Sequence, residues 1–347
     1  MDKTTLDFTV LPPIEFLKDV EEKAKQAQHR FFAQAMEVEP EKLSGRLFSS
    51  MIEAAGRGVD TRLNVDYYSY LLTEGVFNYL PAFGKLSERR RESKKQKEET
   101  FKKLEESGGK VTAINPPQDL ADHLFPVRNR NHMKIVVIDD IAWIGGINFR
   151  DMYFHIQDFM VRIPDQEIAK TLIDIFLSVE SKTLIKNSYQ TFQNGDELFI
   201  DSGTEDTSII MDEAIKMVTS ASKKILLATA FVPGGAFLKA LTRRWREGIE
   251  LSIITPSIKT VGGIFKLVNG YHKAEIMLKN RAFPITYSNA NIHAKLLITD
   301  DTTALFGSHN YSHEGVKLKT AELAMKTQEN NLVSQLIQFY NQLHPKK

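Results

Sequence analysis

The chain has 347 residues, 42% of them hydrophobic, and its 45 Lys and Arg nearly cancel 44 Asp and Glu to leave a formal net charge of +1. That length suits two domains better than one, and the composition excludes disorder, a collagen-like repeat and a basic nucleic-acid coat as descriptions of the whole chain. With no cysteine present, disulfide scaffolds, thiolate zinc sites and a cysteine nucleophile are excluded as well.

The first residues, Met1-Asp2-Lys3-Thr4-Thr5, lack the apolar core of a signal peptide, and no run approaches the ~18 apolar residues of a membrane span. The expected location is cytoplasmic, in solution or peripherally on the inner face of the cell membrane. Pro12-Pro13 opens an amphipathic helix over 14–28. A strand over Phe31–Val38 follows, then a helix through Leu47, Met51 and Ala55 that Gly56-Arg57-Gly58 ends. A second strand, Thr61 to Val65, closes at Asp66. This β-α-β order predicts a parallel pair with a crossover helix.

An apolar stretch from Leu71 to Phe83 precedes a segment, Lys85 to Lys103, with nine Lys or Arg against four Glu. The plain reading is a solvated helix laced with ion pairs. A sharper one makes 71–103 a contact for an anionic membrane surface. Phosphate contact with nucleic acid is the third and least favoured. Ser107-Gly108-Gly109-Lys110 reads as a helix-ending turn, since the spacing of a phosphate loop is missing.

The second half repeats the order: a helix over Ala214–Ala221, a strand over Lys224–Phe231, a helix over Ala236–Arg246 ending near Gly248, and a strand over Leu251–Thr255 stopped by Pro256. Such a repeat predicts an internal duplication. The expected halves are 1–195 and 205–347, divided where Asn194-Gly195-Asp196 and Asp201-Ser202-Gly203-Thr204 cluster.

Two stretches match most closely. His132-Met133-Lys134 is followed by Asp139 and by Gly145-Gly146-Ile147-Asn148; His293-Ala294-Lys295 is followed by Asp300 and by Gly307-Ser308-His309-Asn310. Both read H-x-K-x4-D, a turn, then G-[GS]-x-N. Residues i and i+2 of a strand share a side, so each His projects with its Lys. The odd offset of Asp139 and Asp300 aims them elsewhere, as turn-forming or structural members of the motif. Asn148, Asn310 and Ser308 are candidates for binding phosphate, with Gly146 offering no hydroxyl where Ser308 does.

Two halves meeting about a pseudo-two-fold axis would share a cleft holding two His, two Lys and two Asn. That set suits a phosphodiester: ammonium and amide donors stabilise charge on a pentacoordinate phosphoryl group, one neutral imidazole attacks phosphorus, and the other, protonated, serves the leaving alcohol. The imidazoles need carboxylates to orient them. Asp158, ten residues after Asn148, and Glu322, twelve after Asn310, occupy matching places in the two halves and are the candidates.

The duplicated H-x-K-x4-D with G-[GS]-x-N resembles the signature of the phospholipase D superfamily. Glu53 to Val59, Arg62 to Asp66, Leu104 to Pro116, Arg128 to His132 and Ala230 to Pro233 look like its cardiolipin synthase branch. The resemblance implies an α/β fold of two similar halves, each a mixed sheet flanked by helices, with the active site between them. It implies a metal-independent, cofactor-free phosphatidyl transfer from a phosphatidylglycerol-like phospholipid through phosphohistidine. By similarity His132 is the nucleophile and His293 the general acid, an order the sequence alone leaves open. Crossed pairing, Asp158 with His293 and Glu322 with His132, is implied likewise. The alternative is a phosphodiesterase of the same superfamily, an endonuclease or a phospholipase D hydrolase. One departure is a turn of five residues after Asp139 against six after Asp300, which leaves Asp139 and Asp140 both open as the motif's acid. His309 is expected to pack or lie at the surface. Tyr67, Tyr68 and Tyr70, just past Asp66, line a channel or the core.

Overall fold

The computed structural model describes residues 7–74, 88–117, 122, 127–257, 273, 283–312 and 317–344. A short strand β1 (Thr9–Leu11) leads into α1 (Pro13–Gln26), whose opening proline gives up only an N–H that the helix would leave unpaired. Phe16, Leu17, Val20 and Ala24 of α1 fall on one face and are buried there. Next come β2 (Arg30–Ala35), α2 (Ser44–Gly56) and β3 (Asp60–Asp66), with β2 and β3 parallel, as the β-α-β order predicts. After α3 (Tyr68–Glu74) and α4 (Glu88–Glu106), β4 (Lys110–Ile114) extends the parallel run. The strands β5 (Ile135–Ile138), β6 (Ile141–Gly145) and β7 (Met160–Ile163) complete the sheet as antiparallel neighbours in the order β4-β3-β2-β5-β6-β7-β1.

Helix α5 (Gln166–Glu180), capped by the Asp165 carboxylate on Ile168 N–H, leads to the second sheet. Its elements are β8 (Ser188–Thr191), β9 (Glu197–Asp201), α6 (Ile209–Ser220), β10 (Lys224–Ala228), α7 (Gly235–Arg246), β11 (Glu250–Pro256), β12 (Ile285–Ser288), β13 (Leu296–Thr299), β14 (Thr303–Gly307), β15 (Glu322–Thr327) and α8 (Asn330–Gln342). The order β12-β11-β10-β13-β14-β15-β9-β8 repeats the first sheet strand for strand and adds one edge strand, β8. The parallel trio β10, β11 and β12 answers β2, β3 and β4. The β8–β9 hairpin straddles residue 195, so the second sheet starts upstream of the expected division.

Both sheets are covered on both faces, which is why β5 and β13 read as unbroken apolar runs. Ile135 and Val137 of β5 face a core shared by the two halves, while Val136 and Ile138 face α1 and α2. The shared core includes α5, α8 and a ring cluster in which Phe159 lies 6.1 Å from Phe306 and 4.8 Å from Phe339. Truncating Phe159 to Ala would cost about 3–5 kcal/mol and loosen the two sheets together.

The basic stretch is a helix. In α4, Lys94–Glu98, Lys95–Glu99 and Lys102–Glu106 pair at i,i+4. Phe101 and Leu104 are buried in the core behind them. Lys97 is buried, donates to the Ser69 carbonyl at 2.7 Å and stands 5.0 Å from the Tyr70 ring centre. Residues 75–87, with most of the apolar stretch, lie outside the described residues. Among the described residues no helix is long and apolar enough to cross a membrane.

Candidate active site

The acidic member of each motif is a staple. Asp139 and Asp300 adopt left-handed backbone (φ 49° and 54°) at the turns after β5 and β13. Asp139 accepts from the N–H groups of Gln28, His29 and Arg30 at 2.8–3.0 Å, and Asp300 from those of Ser222, Lys223 and Lys224 at 2.7–3.1 Å. Each pins the entry of a neighbouring strand, β2 or β10. Burial would raise these carboxyls, yet the backbone donors hold both below their ordinary value. Neither reaches the cleft, and Asp139 rather than Asp140 fills the acidic place.

The reactive pairs precede their strands instead of lying within them. β5 begins one residue after Lys134 and β13 one residue after Lys295. The reason is that the backbone at these points bonds to the other half. His132 N–H donates to Ala321 O at 2.8 Å and His293 N–H to Gln157 O at 2.9 Å. Ala321 and Gln157 immediately precede Glu322 and Asp158, so one pseudo-symmetric bridge on each side delivers a carboxylate to the opposite imidazole.

The crossed pairs form accordingly. His132 Nδ1 lies 3.0 Å from both carboxylate oxygens of Glu322, and His293 Nδ1 lies 2.6 Å from Asp158 Oδ2. A carboxylate only accepts, so each Nδ1 carries the proton and each Nε2 is left for chemistry. Each ammonium, Lys134 and Lys295, donates to the carbonyl of its own motif histidine at 2.5 Å. Lys295 Nζ also lies 3.0 and 3.1 Å from the two ring nitrogens of His293.

Burial dominates the electrostatics. It lowers Lys134 to about 7 and Lys295 to about 8, against the opposing pull of Glu322 and Asp158. Burial, helped by Lys295 and opposed by Asp158, brings His293 to about 4. His132 is lowered by burial too, with Glu322 opposing. Burial would raise Glu322, but His132, His309 and Lys134 hold it at about 2. Asp158 is likewise kept below its ordinary value, with His293 and Lys295 overcoming burial. With both lowered from their ordinary value, the two imidazoles are neutral at pH 7.

Both imidazoles line one cavity of about 290 Å³. Its polar lining includes Glu37, Asn291, His309 and Asn310; Met36, Met152, Ile156, Phe231 and Ile292 make apolar walls. No described residue reaches Asn310 Oδ1, although that atom is buried. This leaves the carboxamide available to a ligand. Asn148 is used differently: its Oδ1 accepts from Glu37 N–H at 3.2 Å, and its amide bonds the Tyr153 hydroxyl.

Ser308 corrects a sequence expectation. Its hydroxyl, expected at a phosphate, donates to the Glu322 carboxylate and accepts from Leu323 N–H at 3.0 Å. Gly146, its counterpart, makes room: a Cβ there would stand 2.4 Å from Asp158 Oδ1. The preceding glycines, Gly145 and Gly307, are needed because a Cβ would come 2.2 Å from Phe159 O, just before β7, and from Leu323 O of β15.

Three lining residues were missed by sequence reasoning. His309 is buried in the cleft rather than a bystander, its Nδ1 accepting from Tyr311 N–H at 3.0 Å. Tyr153 lies edge-on to the His293 ring at 5.1 Å and donates to Glu37 Oε1 at 2.6 Å. Of the tyrosines after Asp66, Tyr68 lines the cavity, while Asp66 itself holds the approach to His132. Asp66 accepts from Asn131 N–H at 2.7 Å and faces buried Arg130 at 3.6 Å. The signal for Glu37 was present: it follows β2 where Phe231 follows β10, so a strand-by-strand comparison of the halves would have paired them.

Residues 20–179 and 214–344 match the family model described as "Cardiolipin synthase, PLD-like domain". The chain belongs to that family. Within it, the major cardiolipin synthase ClsA of Bacillus subtilis is 26% identical over 237 residues, 63% of this chain and 48% of that protein. Cardiolipin synthase 1 of Staphylococcus epidermidis is 27% identical over 245 residues, 65% of this chain and 49% of that protein. The chain spans about half the length of these curated relatives. The crystal structure of phosphatidylserine synthase from Haemophilus influenzae superposes with a TM-score of 0.69 at 13% identity, covering 96% of this chain and 85% of that one. That likeness shows the phospholipase D-like fold of two similar halves.

Proposed function

We propose that this protein is a phosphatidyltransferase of the cardiolipin synthase type, moving a phosphatidyl group from a phosphatidylglycerol-like lipid to an alcohol. One observation carries the reading: two imidazoles from opposite halves, each tethered through Nδ1 to the other half's carboxylate, line one cavity. In the first step the bound phosphodiester anion, with Asp158 at Nδ1, raises the His293 imidazole so that it takes up a second proton at Nε2. His132 Nε2 then attacks phosphorus, the P–O bond to the leaving alcohol breaks, and His293 Nε2 gives that oxygen this proton. In the second, His293 takes the proton of an incoming alcohol, the new P–O bond forms, and the P–N bond electrons return to His132.

The lysines, with the Asn310 carboxamide turned to present its NH₂, stabilise the equatorial phosphoryl oxygens. Two buried ammoniums beside the imidazoles take the electrostatic role a divalent cation would play and repel one, so the reaction is read as metal-independent. The apolar walls favour a lipid over a nucleic-acid strand. Contact of 71–103 with an anionic membrane surface belongs to the same proposal: changing Arg91, Lys94 and Lys95 to Gln should weaken binding to phosphatidylglycerol vesicles.

The deciding experiment incubates the protein, with and without EDTA, with phosphatidylglycerol vesicles and separately with single-stranded DNA, and identifies products by mass spectrometry. A diphosphatidyl lipid at an unchanged rate in EDTA is expected. Cleaved DNA with no lipid product would select the nuclease alternative.

A further inference from the structure

The reactive centre of the cleft is nearly symmetric, but its walls are not. Glu37 and Phe231 occupy the same place in the duplicated fold. β2 pairs with β5 so that Phe31 faces Ile138, the residue before Asp139; β10 pairs with β13 so that Ile225 faces Thr299, the residue before Asp300. Counting six residues from each anchor reaches Glu37 and Phe231, and both line the cavity. One side of a shared phosphoryl site is thus a carboxylate and the other an aromatic ring.

A carboxylate is a poor neighbour for a phosphodiester anion, so Glu37 is not part of a phosphate subsite. It is an acceptor only and needs a donor. Tyr153 O–H supplies one, to Oε1, and Arg150 Nη1 stands 3.5 Å from Oε2. Acceptor capacity remains where the carboxylate meets the cavity. Arg150 balances its charge, which favours a neutral hydroxyl over an ammonium as the incoming donor. Glu37 is also fixed: its N–H is held by Asn148 and its carbonyl accepts from Phe149 N–H at 2.9 Å. Tyr153 ties it to His293, since the same side chain lies against that imidazole and donates to Glu37.

We propose that Glu37 accepts hydrogen bonds from the free hydroxyls of a polyol headgroup, so that both the leaving and the accepting polyol sit on the His293 side while Phe231 faces the lipid's apolar part. This deepens the phosphatidyl-transfer reading and rests on it. It also gives a physical reason for His293 to serve the alcohol oxygens: the group that recognises the rest of the alcohol is tied to that imidazole.

The test is a competition for the common phosphatidyl-enzyme. Phosphatidylglycerol vesicles are supplied with isotopically labelled glycerol, methanol and ethanolamine together, and product ratios are read by mass spectrometry. The ratio is fixed after the first step, so a defect in donor binding or folding does not move it. The wild type should favour glycerol over both competitors. E37Q and E37A should lower the glycerol-to-methanol ratio about tenfold, the effect of one lost charge-assisted hydrogen bond, and E37D should restore part of it. Turnover with an unchanged ratio in E37Q or E37A, or a wild-type preference for ethanolamine, overturns the role of Glu37 while leaving phosphatidyl transfer standing. A wild type that forms no phosphatidyl product from any acceptor overturns the transfer reading, and this inference with it.

Discussion

The two halves reach the same imidazole geometry by different side chains. In the first, Gly146 leaves space beside Asp158, a short carboxylate that reaches across to His293. In the second, Ser308 occupies the matching place and donates to Glu322, a longer carboxylate that reaches His132. Glycine with aspartate and serine with glutamate are thus two packing solutions to one task. The walls diverge further, with Glu37 opposite Phe231. Symmetry holds at the two imidazoles and lapses at the walls, where the proposed transfer would place the unlike groups attached to one phosphorus.

The largest expected effect comes from removing either half's imidazole. His132→Ala or His293→Ala should each lower kcat by at least about 10³-fold, because nucleophile and acid–base roles are not interchangeable. Circular dichroism should show both variants folded, since the bridges at Ala321 and Gln157 use backbone atoms. A single variant retaining substantial turnover would mean that one half suffices.

The next comparison separates the two packing solutions. Gly146→Ala places a Cβ against Asp158, which must leave His293, and kcat should fall about 10²-fold. Ser308→Gly removes a hydrogen bond to a charged group and leaves Glu322 in place, so the loss should be nearer tenfold, or about 1.5 kcal/mol. Equal losses would contradict the assignment of Gly146 to space and Ser308 to support.

A smaller effect appears in the pH profile. Lys134 and Lys295, lowered by burial to about 7 and about 8, lose their charge as pH rises through those values. Binding of an anionic phosphodiester should weaken accordingly, so kcat/KM falls as pH rises from about 7 through about 8. Once bound, the anion raises both ammonium pKa values, and kcat should hold to higher pH. Parallel decline of kcat and kcat/KM would place the titrating groups elsewhere.

Much of this was legible in the sequence because it is written twice. The H-x-K pairs, the crossed candidates Asp158 and Glu322, and the β-α-β order all recur at matching positions, and a repeat filters out chance. What escaped depends on pairings that spacing does not encode. Ser308 faces Glu322 only because β14 and β15 lie side by side, with Gly307 opposite Ala324. His132 and Lys134 precede β5 because their backbone turns to the other half. Tyr153 and His309 lack a like-for-like partner in the opposite half, and Glu37 matches Phe231 in position but not in chemistry, so only a comparison by strand position would have marked it.

The most direct measurement is alkaline quenching of the protein during turnover on phosphatidylglycerol, followed by peptide mass spectrometry. A phosphatidyl group on the peptide carrying His132, absent from His132→Ala, is the predicted result. Undiminished product formation with no adduct on either His132 or His293 would contradict two imidazoles sharing one phosphorus.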